Sequence, residues 1–177
     1  GSKDRTWDII QRFFDENDEI VGLRFAHNRG HQNAILAGMM YAKDFCDFTI
    51  TIDADLQQDI NAMEKFIEEY NSGSEIVYGV RNSRKTDGFF KKMSATMFYK
   101  LMHVMGCSIY ENSADYRLMS AKALDALSEY EEVNLFLRGI IPDIGLKSSV
   151  VYFDVFPRMQ GESKYSLSKM LTLAADG

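Results

Sequence analysis

The sequence predicts an α/β fold in which a mostly parallel sheet is covered by helices on both faces. Segments with helical periodicity alternate with short apolar runs, which is the pattern of strands joined by crossover helices. The 177 residues, 46% of them hydrophobic, are enough to bury one core. Since no repeat, low-complexity stretch or linker is visible, residues 1–177 are expected to form a single domain.

The first half of the chain contains three predicted helices and three predicted strands, assigned from their apolar periodicity. In chain order they are helix Thr6–Asn17, strand Ile20–Phe25, helix Gly30–Lys43, strand Phe48–Ile52, helix Ile60–Asn71 and strand Glu75–Val80. Because the first predicted element is a helix where such a fold should open with a strand, we expect the N-terminal strand to be missing. Asp4 or Thr6 is the candidate helix cap.

The second half is denser in turns. Its predicted elements are a long helix Gly88–Met105, a strand Tyr116–Met119, a helix Ala121–Glu129, a strand Ser148–Phe153 and a final helix from Ser166. The long helix combines lysines with a wide stripe of Phe, Met and Leu. This combination suits a helix lying on anionic lipid or holding a lipid phosphate, and it equally suits a core helix with solvated lysines.

The net charge of −6 weighs against a general nucleic-acid-binding protein, since those proteins carry basic surfaces to displace counterions from phosphates. The two cysteines, Cys46 and Cys107, lie in apolar surroundings without paired spacing, so reduced thiols are expected instead of a disulfide or a zinc site. No run of about 18 apolar residues occurs, so the sequence predicts no membrane-spanning helix in these residues.

The strongest chemical signal is Asp53-Ala54-Asp55-Leu56-Gln57 directly after a predicted strand. Open α/β sheets bind ligands at the carboxyl ends of their strands. A spacing of two places Asp53 and Asp55 on one face of an extended backbone, where they can converge on Mg²⁺ or Mn²⁺ with Gln57 nearby. Such a motif also occurs by chance as a polar loop with an Asx turn, but the preceding strand favours the metal site.

Three basic residues are candidates for binding a diphosphate. Arg81 ends the next predicted strand, and arginine can donate two parallel hydrogen bonds to phosphate. Arg158 and Lys164 flank Gly161-Glu162-Ser163 ahead of a helix, whose free N–H groups also favour phosphate. Solvated loop charges are the alternative for all three.

Two further groups have a structural and a functional interpretation. His27 and His31 are four residues apart, but no nearby carboxylate or cysteine completes a zinc site, so a loop-to-helix turn near a nucleotide is preferred. Asp115 is either a general base at the acceptor or the partner of Arg117 in a structural ion pair. The residues alone favour the ion pair.

Taken together, these motifs resemble those of the GT-A glycosyltransferases of family two, in the branch of dolichyl-phosphate mannosyltransferases and bacterial polyprenyl-phosphate glucosyltransferases. The resemblance covers nearly the whole chain, in motif order and spacing. The matching segments are Gly1-Ser2-Lys3-Asp4-Arg5-Thr6, Asn28-Arg29-Gly30-His31-Gln32-Asn33-Ala34, Asp53-Ala54-Asp55-Leu56-Gln57, Asp115-Tyr116-Arg117-Leu118-Met119 and Gly161-Glu162-Ser163-Lys164-Tyr165.

The resemblance implies a GT-A (Rossmann-like) fold and an inverting transfer of a hexose from a UDP- or GDP-sugar to a polyprenyl phosphate, undecaprenyl or dolichyl. It implies that Asp115 lies near the acceptor, and that the full-length protein works at the cytoplasmic face of a membrane, with membrane helices after the present C-terminus. The implied ligands of Mg²⁺ or Mn²⁺ are Asp53, Asp55 and Gln57. The implied phosphate-binding residues are Arg81, Arg158 and Lys164.

Three other functions remain open at this point. A family-two transferase with a glycan hydroxyl acceptor would need Asp115 as a true base. A non-catalytic nucleotide-binding or membrane-docking module would not depend on Asp53. A nucleotidyltransferase also uses acidic metal ligands on an α/β sheet, and it would release pyrophosphate.

Overall fold

The structure, a computed structural model, describes residues 4–82, 113–130 and 137–156. Within these ranges helices and strands follow each other in nearly the predicted order. The helices are α1 (Thr6–Glu16), α2 (His31–Ala42), α3 (Ala62–Asn71), α4 (Ala121–Ser128) and α5 (Leu137–Asp143), and the strands are β1 (Phe48–Thr51), β2 (Ile76–Arg81), β3 (Ser113–Ser120) and β4 (Ser148–Phe153). The predicted helices Gly88–Met105 and from Ser166 lie outside the described residues.

The described strands form one sheet in the order β1-β3-β2-β4. β3 pairs antiparallel with both β1 and β2, whereas β2 and β4 are parallel. Three of the four strands therefore point in one direction, while two of the three described strand pairs are antiparallel, so the described sheet is mixed. The reversed β3 between β1 and β2 was not foreseen, because periodicity predicts a strand without its direction.

Helices cover both faces of the sheet, as predicted. On one face, buried side chains of α2, α4 and α5, including Met39, Leu124 and Ile141, pack against Tyr78 of β2. On the other face Phe66 of α3 belongs to a second cluster. Each fully buried side chain of this size contributes about 1.5–3 kcal/mol. None of the described helices is long and apolar enough to cross a bilayer.

The predicted strand Ile20–Phe25 is wrong: this segment is in no strand of the described sheet. A strand exists only through hydrogen bonds to a neighbouring strand, and these residues lie instead along α1. The guanidinium of Arg24 sits 5.3 Å from the ring centre of Trp7. At Gly22 an added Cβ would come within 2.6 Å of the Ile10 side chain. The apolar pattern identified an extended segment but not its pairing.

Two differences in the second half affect the functional residues. β3 begins at Ser113, three residues before its predicted start at Tyr116, and therefore includes Asp115. The short helix α5 was missed because Gly139 and Pro142 both disfavour a helix. It forms because burial of Leu137, Ile140 and Ile141 against the core outweighs those propensities.

Candidate active site

The reversed direction of β3 brings Asp53 and Asp115 to the same edge of the sheet. Asp53 lies two residues after β1 ends, and Asp115 is the third residue of β3. Thr51 of β1 pairs with Arg117, and its hydroxyl donates a hydrogen bond to the backbone carbonyl of Asp115. A β3 running in the other direction would place Asp115 at the far edge. We call this edge, where β1 and β2 end and β3 begins, the site edge.

α2 also begins at the site edge and contributes His31. Its Nε2 lies 3.2 Å from Oδ2 of Asp115 and 3.9 Å from Oδ1 of Asp53. Gly30, with a φ of 83°, adopts the left-handed conformation that makes the tight entry into the helix possible. His27 is exposed in the preceding loop, so of the two histidines His31 is the one that the structure brings to the carboxylates.

Asp115 is a buried carboxylate with three cationic or basic partners. Nη2 of Arg117 donates to Oδ1 at 2.9 Å. Arg138 of α5 donates to both oxygens, from Nε to Oδ1 at 3.1 Å and from Nη2 to Oδ2 at 3.1 Å. His31 of α2 contacts Oδ2 as well, so β3, α5 and α2 each contribute one partner to the carboxylate. The Asp115 side chain is 7% exposed. The ion pair expected with Arg117 is present.

These contacts set the protonation states. Burial raises the pKa of Asp115, but the hydrogen bonds from His31 and Arg138 and the charges of Arg138 and Arg117 lower it more, so the pKa lies well below its usual range. The hydrogen bond to Asp115 raises the pKa of His31, as do the charges of Asp115 and Asp53, against burial and the charge of Arg138. Asp115 is therefore ionised at neutral pH and is a weak proton acceptor.

Asp53 is held differently, by the neutral amide of Gln58. The backbone N–H of Asp53 donates to Oε1 of Gln58 at 2.9 Å, and Nε2 of Gln58 donates to Oδ2 of Asp53 at 3.0 Å. Gln58 itself is 5% exposed. The amide orients the carboxylate without neutralising it.

The other two predicted metal ligands lie on the same loop. Oδ1 of Asp55 accepts a hydrogen bond from the backbone N–H of Gln57 at 3.2 Å, which is the Asx turn considered from the sequence. Nε2 of Gln57 lies 3.3 Å from the carbonyl oxygen of Phe156. Within the described ranges, no three His, Cys, Asp or Glu side chains are grouped closely enough to hold a metal ion.

The predicted phosphate-binding residues are described only in part. Arg81 is the last residue of β2 and is exposed. Because β1 and β2 point in the same direction, it lies on the site edge with Asp53. Next to it, Asn82 donates to Asp154 at 2.8 Å. Arg158 and Lys164 lie outside the described residues.

Sequence reasoning missed two residues that the structure brings to the site edge. Arg138 belongs to the unrecognised α5, and Gln58 reads as the second amide of a polar run. Site residues were predicted from motif spacing. Arg138 and Gln58 were missed because their contacts are made only in the folded chain.

Comparison with known proteins adds the family. The sequence profile described as "Glycosyl transferase family 2" matches residues 1–128, more than half of the chain. The protein named "Uncharacterized glycosyltransferase YkoT" of Bacillus subtilis is 51% identical over the whole chain, which spans 52% of that relative. The "Bactoprenol glucosyl transferase" of Shigella phage SfV is 36% identical over the whole chain, which spans 57% of it. A "Prophage bactoprenol glucosyl transferase homolog" of Escherichia coli is 35% identical, with 58% spanned.

The chain thus spans little more than half the length of these relatives, and all of its described elements fall within the shared part. The mixed α/β sheet with helices on both faces is consistent with the GT-A architecture expected from the sequence. From the profile match and the full-chain similarity together, the chain belongs to glycosyl transferase family 2.

Proposed function

We propose that the protein transfers a hexose from a UDP- or GDP-sugar to a polyprenyl phosphate, with inversion at the anomeric carbon. Support comes from relatives at 35–36% identity over the whole chain whose names specify glucosyl transfer to bactoprenol. In the transfer, a phosphate oxygen of the acceptor attacks the anomeric carbon as the bond to the nucleoside diphosphate breaks. The acceptor would reach the protein at the cytoplasmic face of a membrane.

The observation that carries the choice of acceptor is the environment of Asp115. A hydroxyl acceptor needs a base, and an efficient base has a pKa near the working pH. Asp115 has a pKa held well below its usual range by His31 and two arginines. A polyprenyl phosphate is already ionised at neutral pH and needs no base. The ion-paired state of Asp115 therefore supports a phosphate acceptor over a glycan hydroxyl, and it supports a role for Asp115 in fixing the site instead of moving a proton.

We further propose that Asp53 and Asp55, with Gln57, hold Mg²⁺ or Mn²⁺. The donor set fits, because carboxylate and amide oxygens are the ligands that these hard cations prefer. The hydrogen-bond partner of Asp53 at Oδ2 is the neutral amide of Gln58. When bound, a divalent cation supplies charge stabilisation to the departing diphosphate. Gln57 would contribute its Oε1, because its Nε2 donates to the carbonyl oxygen of Phe156.

The chain's own cations would meet the phosphates. Arg81 stands exposed on the site edge, where a guanidinium can donate two hydrogen bonds to a phosphate group. Arg158 and Lys164 are proposed on the family resemblance alone. A nucleotide-sugar donor, a polyprenyl phosphate acceptor and a membrane surface are the proposed partners, and no role for nucleic acid is proposed.

The test uses the full-length protein with radiolabelled UDP-glucose or GDP-mannose, undecaprenyl phosphate and Mn²⁺. The expected result is labelled glycolipid extracted into organic solvent, released nucleoside diphosphate, and loss of both with Asp53→Ala. Transfer only to a glycan hydroxyl would overturn the proposed acceptor. Release of pyrophosphate would indicate a nucleotidyltransferase, and full activity of Asp53→Ala would overturn the metal site.

Asp115→Asn separates the two acceptor types. If Asp115 only fixes the site, the curve of turnover rate against pH should keep its shape in Asp115→Asn. The turnover rate at every pH should then fall together with the free energy of unfolding. If Asp115 is a general base, turnover of correctly folded protein should be abolished with donor binding intact.

A further inference from the structure

The two aspartates of the site edge differ in the charge of the side chains that contact them. Asp115 is surrounded by Arg117, Arg138 and His31. Asp53 is hydrogen-bonded through Oδ2 to a neutral amide, and its nearest ion-pair contact in the described structure is His31, at 3.9 Å from Oδ1. A carboxylate that is oriented but not neutralised attracts a cation more strongly than one already paired with arginines.

Gln58 is fixed well enough to orient another side chain. Its backbone forms an isolated antiparallel bridge with Val155, just after β4. The next residue along, Phe156, donates its N–H to the carbonyl of Gln57 at 2.9 Å. Leu56, with a φ of 58°, reverses the chain before Gln58. The amide can therefore return to Asp53, five residues earlier, from a backbone that is tied to the sheet.

The two hydrogen bonds differ in what they fix. The bond from the Asp53 N–H to Oε1 holds the amide plane against the backbone. The bond from Nε2 then holds Oδ2, so that rotation of the Asp53 carboxylate would break it. Oδ1, on the His31 side, is the oxygen left for another ligand.

We propose that Gln58 is a positioning residue that fixes the carboxylate of Asp53, so that Oδ1 is presented to a divalent cation. This inference rests on the proposed metal-dependent transfer and names a residue outside the metal ligands predicted from the sequence. Residues that hydrogen-bond to metal ligands orient them, and their loss typically weakens metal binding about 10- to 100-fold.

The experiment measures Mn²⁺ binding to full-length protein in the presence of UDP or GDP, from the electron paramagnetic resonance signal of free Mn²⁺. Gln58→Met keeps the size of the side chain and removes both hydrogen bonds. Its Mn²⁺ dissociation constant is expected to rise about 10- to 100-fold. Gln58→Asn is the second variant, to be used if Gln58→Met does not fold. Its side chain is one methylene shorter, so its amide cannot reach both contacts, and Mn²⁺ binding should again be weaker.

Tyr116→Phe is the matched control. The Tyr116 hydroxyl donates to the carbonyl of Asp59 at 3.0 Å, so the variant loosens the residue next to Gln58 without touching Asp53. Its Mn²⁺ affinity should stay within about twofold of that of the unmodified protein. In the described part of the chain the Tyr116 hydroxyl and Asp53 share no hydrogen-bond partner, and mutations at sites without a shared partner act independently. Circular dichroism melting curves of every variant establish that each is folded.

The outcomes separate the inference from the proposed function. Normal Mn²⁺ binding by folded Gln58→Met and Gln58→Asn, with binding lost in Asp53→Ala, would overturn the role of Gln58 and leave the metal site standing. An equal loss in Tyr116→Phe would assign the effect to loop rigidity and overturn the inference. An unmodified protein that does not bind Mn²⁺ with either nucleotide would overturn the proposed metal dependence itself.

Discussion

Arg138 of α5 donates to both carboxylate oxygens of Asp115 on β3, with both distances at 3.1 Å. Parallel donation from one guanidinium to one carboxylate is the strongest common form of charge-assisted hydrogen bonding, and lysine cannot reproduce it. This pair attaches a helix that sequence analysis did not detect to the edge of the sheet that carries the proposed active site.

Arg138→Ala should lower the free energy of unfolding by about 1–2 kcal/mol. The loss is smaller than for a fully buried pair because the Arg138 side chain is 39% exposed and Asp115 keeps Arg117 and His31. Arg138→Lys should recover only part of the loss, since it restores the charge and not the fork. Urea unfolding at neutral pH measures both, and a lysine variant as stable as the unmodified protein would show that the fork geometry is unimportant.

Asp115 and Arg117 should be energetically coupled. Arg117 is 3% exposed, so removing either partner leaves a buried charge with fewer partners. In a double-mutant cycle with Asp115→Asn and Arg117→Met, the double variant should be less destabilised than the sum of the singles, by about 1–3 kcal/mol. Denaturant midpoints and slopes of the four proteins give this coupling. Additive losses would mean that the 2.9 Å contact contributes nothing beyond the separate side chains.

The ion pairs of Asp115 should stabilise the fold down to moderately acidic pH. Because the folded-state pKa is lowered from the ordinary value of 3.8, the unfolded chain takes up the proton first. The contribution is therefore fully present above that value and is lost as pH falls below it towards the folded-state pKa. The stability difference between the unmodified protein and Asp115→Asn should increase somewhat as pH falls from 7 to 5, because Asp115 raises the pKa of His31 and the charged imidazole strengthens the contact. Below pH 4 the difference should shrink, measured by urea unfolding. A difference that keeps growing below pH 4 would contradict this assignment.

Gly79 should not tolerate a side chain, because β2 and β3 approach closely there. An added Cβ would lie 2.5 Å from the backbone oxygen of Tyr116 and 3.1 Å from the ring of Phe66. Gly79→Ala is expected to lower the free energy of unfolding by about 1–3 kcal/mol.

Gly38→Ala is the control for Gly79→Ala. An added Cβ meets nothing within 4 Å in the interior of α2, so this variant should gain up to about 1 kcal/mol from helix propensity. Thermal unfolding of the two variants compares them directly. A loss at both positions would indicate a general sensitivity of the fold and not the local clash at β2.

The sequence was sufficient for much of the fold, because apolar periodicity reports which face of an element is buried. β4 was predicted with its observed bounds, and α2 and β2 within a residue at each end. Periodicity does not report pairing, which is why Ile20–Phe25 was assigned as a strand and the direction of β3 was not foreseen. The single-domain extent over residues 1–177 stays a prediction.

For the site, motif spacing identified Asp53, Asp55, Gln57 and Asp115 as candidates but not their partners. The ion pair with Arg117 followed from a spacing of two on one strand. Arg138 is 23 residues from Asp115 along the chain, and only the packing of α5 brings it there. Long-range contacts of this kind leave no periodic or spacing signal in one sequence, whereas contacts within an element do.

The direction of β3 has a practical consequence for handling the protein. Because β1, β2 and β4 all begin at the edge opposite the proposed active site, the turns that precede them lie far from the carboxylates. The turn at Gly73, exposed and braced by Lys147 donating to Ser72 at 2.9 Å, is one such position. A fluorophore or surface tether attached in this turn at the exposed Ser72, and not at Gly73 with its positive φ, would leave the proposed active-site edge of an immobilised molecule facing the solution.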